Sequence, residues 1–203
     1  MSVIGKPTPL VDARAKVTGR GVYTDDIKLP GMLVGKILRS PLAHARIVKL
    51  DTSRAEALPG VRAVVTGRET GVKFGVLPVS RDETAMADDR VIYIGDCVAG
   101  VAADDEETAL EAMRLIEVEY ASLPPILPID DGLAPTDHPI HEKTLNGTNI
   151  QKAVDQNFGD VEGALAGSAH VERHDFKFAA VTHAFTEPHC VIAQFDHDGR
   201  LTV

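Results

Sequence analysis

No stretch of about 18 apolar residues occurs in the chain, so it encodes no transmembrane helix. The first residues, Met1-Ser2-Val3-Ile4-Gly5-Lys6-Pro7, hold no apolar signal-peptide core and no twin-arginine pair, and a cytoplasmic location is expected. Cysteine is scarce: Cys97 and Cys190 form neither a disulfide framework nor a CxxC pair, and buried thiols are the default reading. Positive charge is scarce too. With 21 Lys and Arg against 30 Asp and Glu the formal charge is −9, and no basic run offsets it. A nucleic-acid or anionic-membrane partner is therefore not expected. A P-loop, a Ser/His/Asp order and paired-carboxylate spacing are also missing. The sequon Asn146-Gly147-Thr148 reads as a chance match in such a chain.

What is present is an ordinary composition for a folded protein, 44% apolar and 25% charged over 203 residues, enough for one large domain or two smaller ones. Residues 1–30, rich in Gly, Pro and charge, read as an extended arm. Strands are expected at Leu33–Leu38, Ala45–Leu50 and Val61–Thr66, with a short helix from Asp51 or Thr52 to Leu58 between the last two. Short apolar runs follow at Val91–Ile94 and Val98–Ala103. Asp104-x-x-Glu107 resembles a capping box, and Ala109, Ala112, Met113 and Ile116 recur at helical spacing. The period then drops to 2 at Ile116, Val118 and Tyr120, which predicts a half-buried strand. Three prolines within Leu123-Pro124-Pro125-Ile126-Leu127-Pro128 end it. Residues 124–149 have linker-like composition. Beyond them come an expected strand at Ala153–Phe158, a helix capped by Asp160 through Ala166, a strand at Ala169–Phe178, and a hairpin. In that hairpin Cys190–Phe195 turns through Asp196-His197-Asp198-Gly199 into Arg200–Val203. Because the return strand stops after four residues, the sequence is expected to be the N-terminal part of something larger.

The candidate sites are few. Gly19-Arg20-Gly21-Val22-Tyr23-Thr24 begins like a dinucleotide loop but has Thr at the third glycine and no βαβ context, so it reads as a turn. His170 and His174 would lie roughly 13 Å apart on a strand at about 3.3 Å per residue, too far to share a metal. Thr182-His183-Ala184-Phe185-Thr186-Glu187-Pro188-His189 is the better candidate. It gathers two imidazoles, a carboxylate and hydroxyls on backbone that Pro188 keeps irregular. The plainer alternative is that these groups satisfy backbone at a domain junction.

Several segments together resemble one family. Gly21-Val22-Tyr23-Thr24-Asp25-Asp26-Ile27, Gly31-Met32-Leu33, Arg39-Ser40-Pro41-Leu42-Ala43-His44-Ala45 and Leu58-Pro59-Gly60-Val61 are similar, in order and spacing, to the α/β hammerhead domain of the molybdopterin-binding large subunit of xanthine dehydrogenases and aldehyde oxidases. The run from Val91 to Pro124 continues the match, and Thr182-His183-x-x-x-Glu187-Pro188-His189 resembles the opening of that family's first molybdopterin domain. The resemblance implies an α/β (α+β) architecture: an arm at 1–20, a hammerhead-like α/β domain at 21–123, a connector at 124–149 and the start of a molybdopterin-binding domain at 150–203.

It also implies an oxidoreductase with a molybdenum-pterin in the complete subunit and [2Fe-2S] clusters and FAD in companion subunits. The loop Phe74-Gly75-Val76-Leu77-Pro78 looks most like the 4-hydroxybenzoyl-CoA reductase branch, which implies reductive dehydroxylation of an aryl-CoA thioester. Purine, aldehyde or carbon monoxide oxidation and a free-standing, non-catalytic assembly or binding module are the alternatives. The family's catalytic glutamate and cofactor loops have no counterpart in these residues. No catalytic, cofactor-binding or metal residue is therefore assigned, and the 203-residue chain alone is expected to be inactive and to bind no cofactor. His183, Glu187 and His189 are the expected supports of a substrate pocket.

Overall fold

The computed structural model describes residues 4–75 and 81–203. In chain order its elements are α1 (Ala13–Val17), β1 (Val34–Arg39), β2 (Ala45–Asp51), α2 (Ser53–Glu56), β3 (Val61–Thr66), β4 (Arg90–Val91), β5 (Cys97–Ala103), α3 (Glu106–Leu115), β6 (Glu117–Ser122), α4 (Ile129–Leu133), α5 (Val161–Ala166), β7 (Gln194–Phe195) and β8 (Leu201–Thr202). They fall into two compact units, one of residues 33–168 and one joining 4–32 with 169–203.

Residues 33–168 build two three-stranded antiparallel sheets, ordered β1-β5-β3 and β4-β2-β6. The β5 sequence CVAGVAA suits its central place, since Val98, Ala99, Val101 and Ala103 are buried and the small residues let neighbours approach. Helix α3 packs on β1 and β5 and against α2. Its buried stripe is Ala109 and Ala112, with Ile116 at its end, as the periodicity requires. The helix starts one residue later than the capping-box spacing suggested. Asp105 is the N-cap, its carboxylate accepting the Thr108 N–H at 2.7 Å, which holds the carboxyl below the usual range. Asp104 is drawn away by Arg62, whose guanidinium makes two 2.7 Å bonds to it from across the chain.

The hand-over to period 2 is as expected, with Val118 and Tyr120 of β6 half-buried between exposed Glu117 and Glu119. Leu50 and Val118 pack against both core clusters. One cluster centres on Ala55, Ala99, Val101, Ala112 and Ile116, the other on Ala45, Ala87, Val91 and Val98. Buried His44 fastens the end of β6. Its backbone carbonyl accepts the Leu123 N–H at 2.9 Å, and its Nδ1 lies 2.9 Å from the Pro124 carbonyl. A carbonyl only accepts, so Nδ1 carries the hydrogen.

Residues 124–149 are not an extended tether. They include α4, and Thr136 N–H bonds Gly147 O while Asn149 N–H bonds Gly132 O, with Thr148 buried beneath. After them, Asp160 caps α5 through the Gly163 N–H, as expected. The strand expected at Ala153–Phe158 does not form: those residues are unpaired.

In the other unit the arm is not simply extended. Residues 13–17 form α1, closed by a Schellman motif in which Arg20 N–H bonds Ala15 O and Gly19 N–H bonds Lys16 O. Gly19 sits at φ 68, the left-handed cap position, which gives the first glycine of the pseudo-dinucleotide motif a structural purpose. The strand expected at Ala169–Phe178 is unpaired, and Cys190–Phe195 contracts to Gln194–Phe195. Likewise Val91–Ile94 in the first unit contracts to β4. In each case the local pattern suits a strand, but a strand needs a partner, which the local pattern does not supply. The β7–β8 hairpin does form. Gly199, at φ 77, donates to Asp196 O, and the Asp196 carboxylate accepts N–H bonds from Asp198 and Arg200.

Candidate functional site

The segment Thr182–His189 is irregular, as Pro188 dictates, and turns at Ala184, which holds φ 50. That turn folds three rings together. His183 stacks on Phe185 with centroids 5.3 Å apart and planes 4° from parallel, and His189 meets the same ring edge-on at 5.2 Å and 75°. Glu187 and His189 join Thr24, Phe185, Thr186, Pro188 and Cys190 in lining an open depression of about 370 Å³. Two of the residues singled out from the sequence, His183 and His189, thus share one phenylalanine, and Glu187 shares the depression with His189. Reading for titratable groups missed Phe185, although its alternation with His183 was visible. Thr24 was not recoverable, because its place there depends on a distant part of the chain. Cys190 is exposed and Cys97 half-buried, so neither is the fully buried thiol expected.

His170 and His174 flank Glu172. Both imidazoles reach the carboxylate of Glu172 between them, at 2.7 and 3.1 Å, and together hold it below the usual glutamate range. Among the described residues no three His, Cys, Asp or Glu side chains converge so as to hold a metal ion.

The depression does not fit a molybdenum-pterin by itself. Except for half-buried Thr24 its lining is exposed. The buried polar atoms without a hydrogen-bond partner among the described residues, His44 Nε2, Asn149 Nδ2 and Gln151 Nε2, belong to none of its lining residues. The arrangement can stack against or hydrogen-bond a passing planar molecule.

Comparison with known proteins decides the family. Residues 18–124, more than half of the chain, match the profile of the aldehyde oxidase and xanthine dehydrogenase a/b hammerhead domain. The chain belongs to the xanthine dehydrogenase/aldehyde oxidase family. Residues 140–203 match the molybdopterin cofactor-binding domain of the same proteins. Among curated relatives, a probable xanthine dehydrogenase subunit of Bacillus subtilis is 38% identical over 204 residues, covering 99% of this chain and 27% of that protein. The nicotinate dehydrogenase large molybdopterin subunit of Eubacterium barkeri is 34% identical over 203 residues, covering 99% of this chain and 46% of its own length. Among solved structures, the Cu,Mo-CO dehydrogenase superposes with a TM-score of 0.66 at 34% identity over 80% of this chain and 22% of that one. The chain therefore spans about a quarter of the first of these curated relatives and under half of the second. The expected mixed α/β hammerhead followed by the start of a molybdopterin-binding domain is the architecture found.

Proposed function

We propose that this chain supplies the hammerhead domain and the opening of the cofactor domain of a molybdopterin-binding large subunit, within a cytoplasmic oxidoreductase acting on a nitrogen heterocycle such as a purine or nicotinate. The observation that carries the proposal is the tandem order of the two domain matches, 18–124 then 140–203, in a chain that aligns nearly end to end with parts of a probable xanthine dehydrogenase and a nicotinate dehydrogenase. The working division is an arm at 1–20, the hammerhead at 21–123, a connector at 124–149 and cofactor-domain residues from 150 onward. Electron-carrying [2Fe-2S] and FAD subunits complete the assembly. In this reading the exposed rings of His183, Phe185 and His189, with Glu187, wall the substrate's approach and do not take part in bond making.

Reductive dehydroxylation of 4-hydroxybenzoyl-CoA is the second reading. It rests on the loop Phe74–Pro78, of which Val76, Leu77 and Pro78 lie outside the described residues. The test is to purify the complete complex and assay it with xanthine, nicotinate, an aldehyde, carbon monoxide and 4-hydroxybenzoyl-CoA. Turnover of xanthine or nicotinate supports the first reading. Turnover of the thioester alone replaces it with the second, and a complex active on none of these substrates refutes both.

A further inference from the structure

The segment 139–142 is fastened to Arg90 of the edge strand β4 and to Asp82 by polar bonds. Arg90, on β4, spends its guanidinium on backbone: it donates to Pro139 O at 2.9 Å and to Ile140 O at 3.1 Å. Asp82 takes the next two residues. One carboxylate oxygen accepts the Glu142 N–H at 2.6 Å, and the other lies 2.9 Å from His141 Nδ1. Lys73 closes the end through an ion pair with Glu142. On the strap's far side Asn149 Oδ1 accepts the Ile140 N–H at 2.8 Å. The Asp82 side chain is 10% exposed and that of His141 23%, so this pair is largely withdrawn from water, whereas the Lys73–Glu142 pair stays half-exposed.

We propose that Asp82 and Arg90 form a polar latch that holds residues 139–142 on the hammerhead domain, and that the latch is released in acid. It ties Asp82 and Arg90, inside the hammerhead match at 18–124, to residues at the start of the cofactor-domain match at 140, so it fixes how the chain leaves one domain for the next. The chemistry of Asp82 sets the direction. Burial alone would raise its carboxyl, but the Glu142 N–H and the His141 ring outweigh that and leave it below the ordinary aspartate range. A carboxyl lowered on folding contributes fully above the ordinary range, about 4, and its contribution is lost as pH falls through the lower folded value. Either the neutral Nδ1–H tautomer or the imidazolium of His141 can donate to it, so the latch does not need a charged histidine. The same cavity also exposes Asp82 to Lys73, Arg46 and Arg90 and to Glu83, Asp88, Asp89, Asp96 and Glu142, a background shared by a wild-type and Asp82→Asn pair.

Amide hydrogen exchange on the full chain tests the latch at Glu142, with the β5 amides of Val98 and Val101 as internal reference and rates corrected for chemical exchange. Asp82→Asn removes the charge and turns one acceptor into a donor, which cannot meet an Nδ1–H, so the His141 bond survives only if its ring switches to the Nε2–H tautomer. At neutral pH it should speed Glu142 exchange at least tenfold and accelerate trypsin cleavage after exposed Lys143, leaving β5 unchanged. His141→Asn, which places an amide N–H where Nδ1–H was, should stay near wild type. In wild type the ratio of Glu142 to β5 protection should hold from pH 7 to pH 5 and fall only as pH drops below the ordinary aspartate range of about 4, a step absent from Asp82→Asn. A Glu142 amide unmoved by Asp82→Asn, or a loss shared equally by β5, overturns the latch. A wild-type ratio that stays unchanged down to pH 2 overturns its acid release.

Discussion

Gly67 follows β3 and has the tightest backbone approach in the hammerhead unit. A Cβ placed on it would lie 2.6 Å from Ala87 O, 2.6 Å from Asp88 Cα and 2.7 Å from Ala87 C. All three are backbone or carbonyl atoms, so no side chain can swing aside. Ala87 cannot yield freely, because it belongs to the second core cluster and its N–H bonds Cys97 O at 2.7 Å. Forcing atoms into a packed site costs about 1–3 kcal/mol. The smaller entropy of an alanine-containing unfolded chain returns about 0.4–1 kcal/mol. The Gly67→Ala variant should therefore lose about 1–2 kcal/mol, a roughly 5–30-fold rise in unfolded population. Gly35→Ala in β1 is the control, since a Cβ there meets nothing within 4 Å and only the favourable term remains. The assay is exchange of the Val98 and Val101 amides under conditions where they open only by global unfolding. Gly67→Ala should exchange faster than wild type and Gly35→Ala slower. If Gly67→Ala exchanges no faster than Gly35→Ala, the close packing of β3's end against 87–88 is wrong.

Three further outcomes are expected. Removing the α3 cap with Asp105→Ala should lower the melting temperature at neutral pH. The gap to wild type should close as pH falls below the ordinary aspartate range, because the lowered carboxyl contributes only while ionised. A gap that persists undiminished at pH 2 would contradict the cap. In the complete complex, His189→Ala or Glu187→Gln should reduce kcat/KM without changing molybdenum content, whereas loss of molybdenum would move these residues from the approach wall to the cofactor. Finally, residues 1–203 alone should self-associate, since Phe176, Phe178 and Val181 are 77%, 88% and 87% exposed. A monodisperse, cooperatively melting monomer in sedimentation would count against that.

The elements legible from sequence are those whose evidence is local. Ala109, Ala112 and Ile116 announce α3, Val118 and Tyr120 announce β6, and Asp160 announces α5, because each pattern is completed within a few residues. The phase of the α3 cap was not legible, since Arg62, far back in the chain, decides that Asp104 is a salt-bridge partner and leaves Asp105 as the cap. The unpaired run at 169–178 alternates as strands do, and 153–158 has apolar residues at both ends, but pairing is a non-local fact. The candidate site divides the same way. The clustering of His183, Glu187 and His189 is plain in the sequence, while the ring of Phe185 between the imidazoles and the contribution of Thr24 emerge only once the chain is folded.

The central claim is that these residues belong to a working molybdenum oxidoreductase. The most direct measurement isolates the native complex with an antibody raised to residues 1–203 and determines the mass of the reactive polypeptide together with bound molybdenum, iron and flavin. The account predicts a polypeptide several times larger than 21.7 kDa, carrying stoichiometric molybdenum and co-purifying with iron and flavin. A native 21.7 kDa species free of all three would contradict it and leave an assembly or binding module in its place.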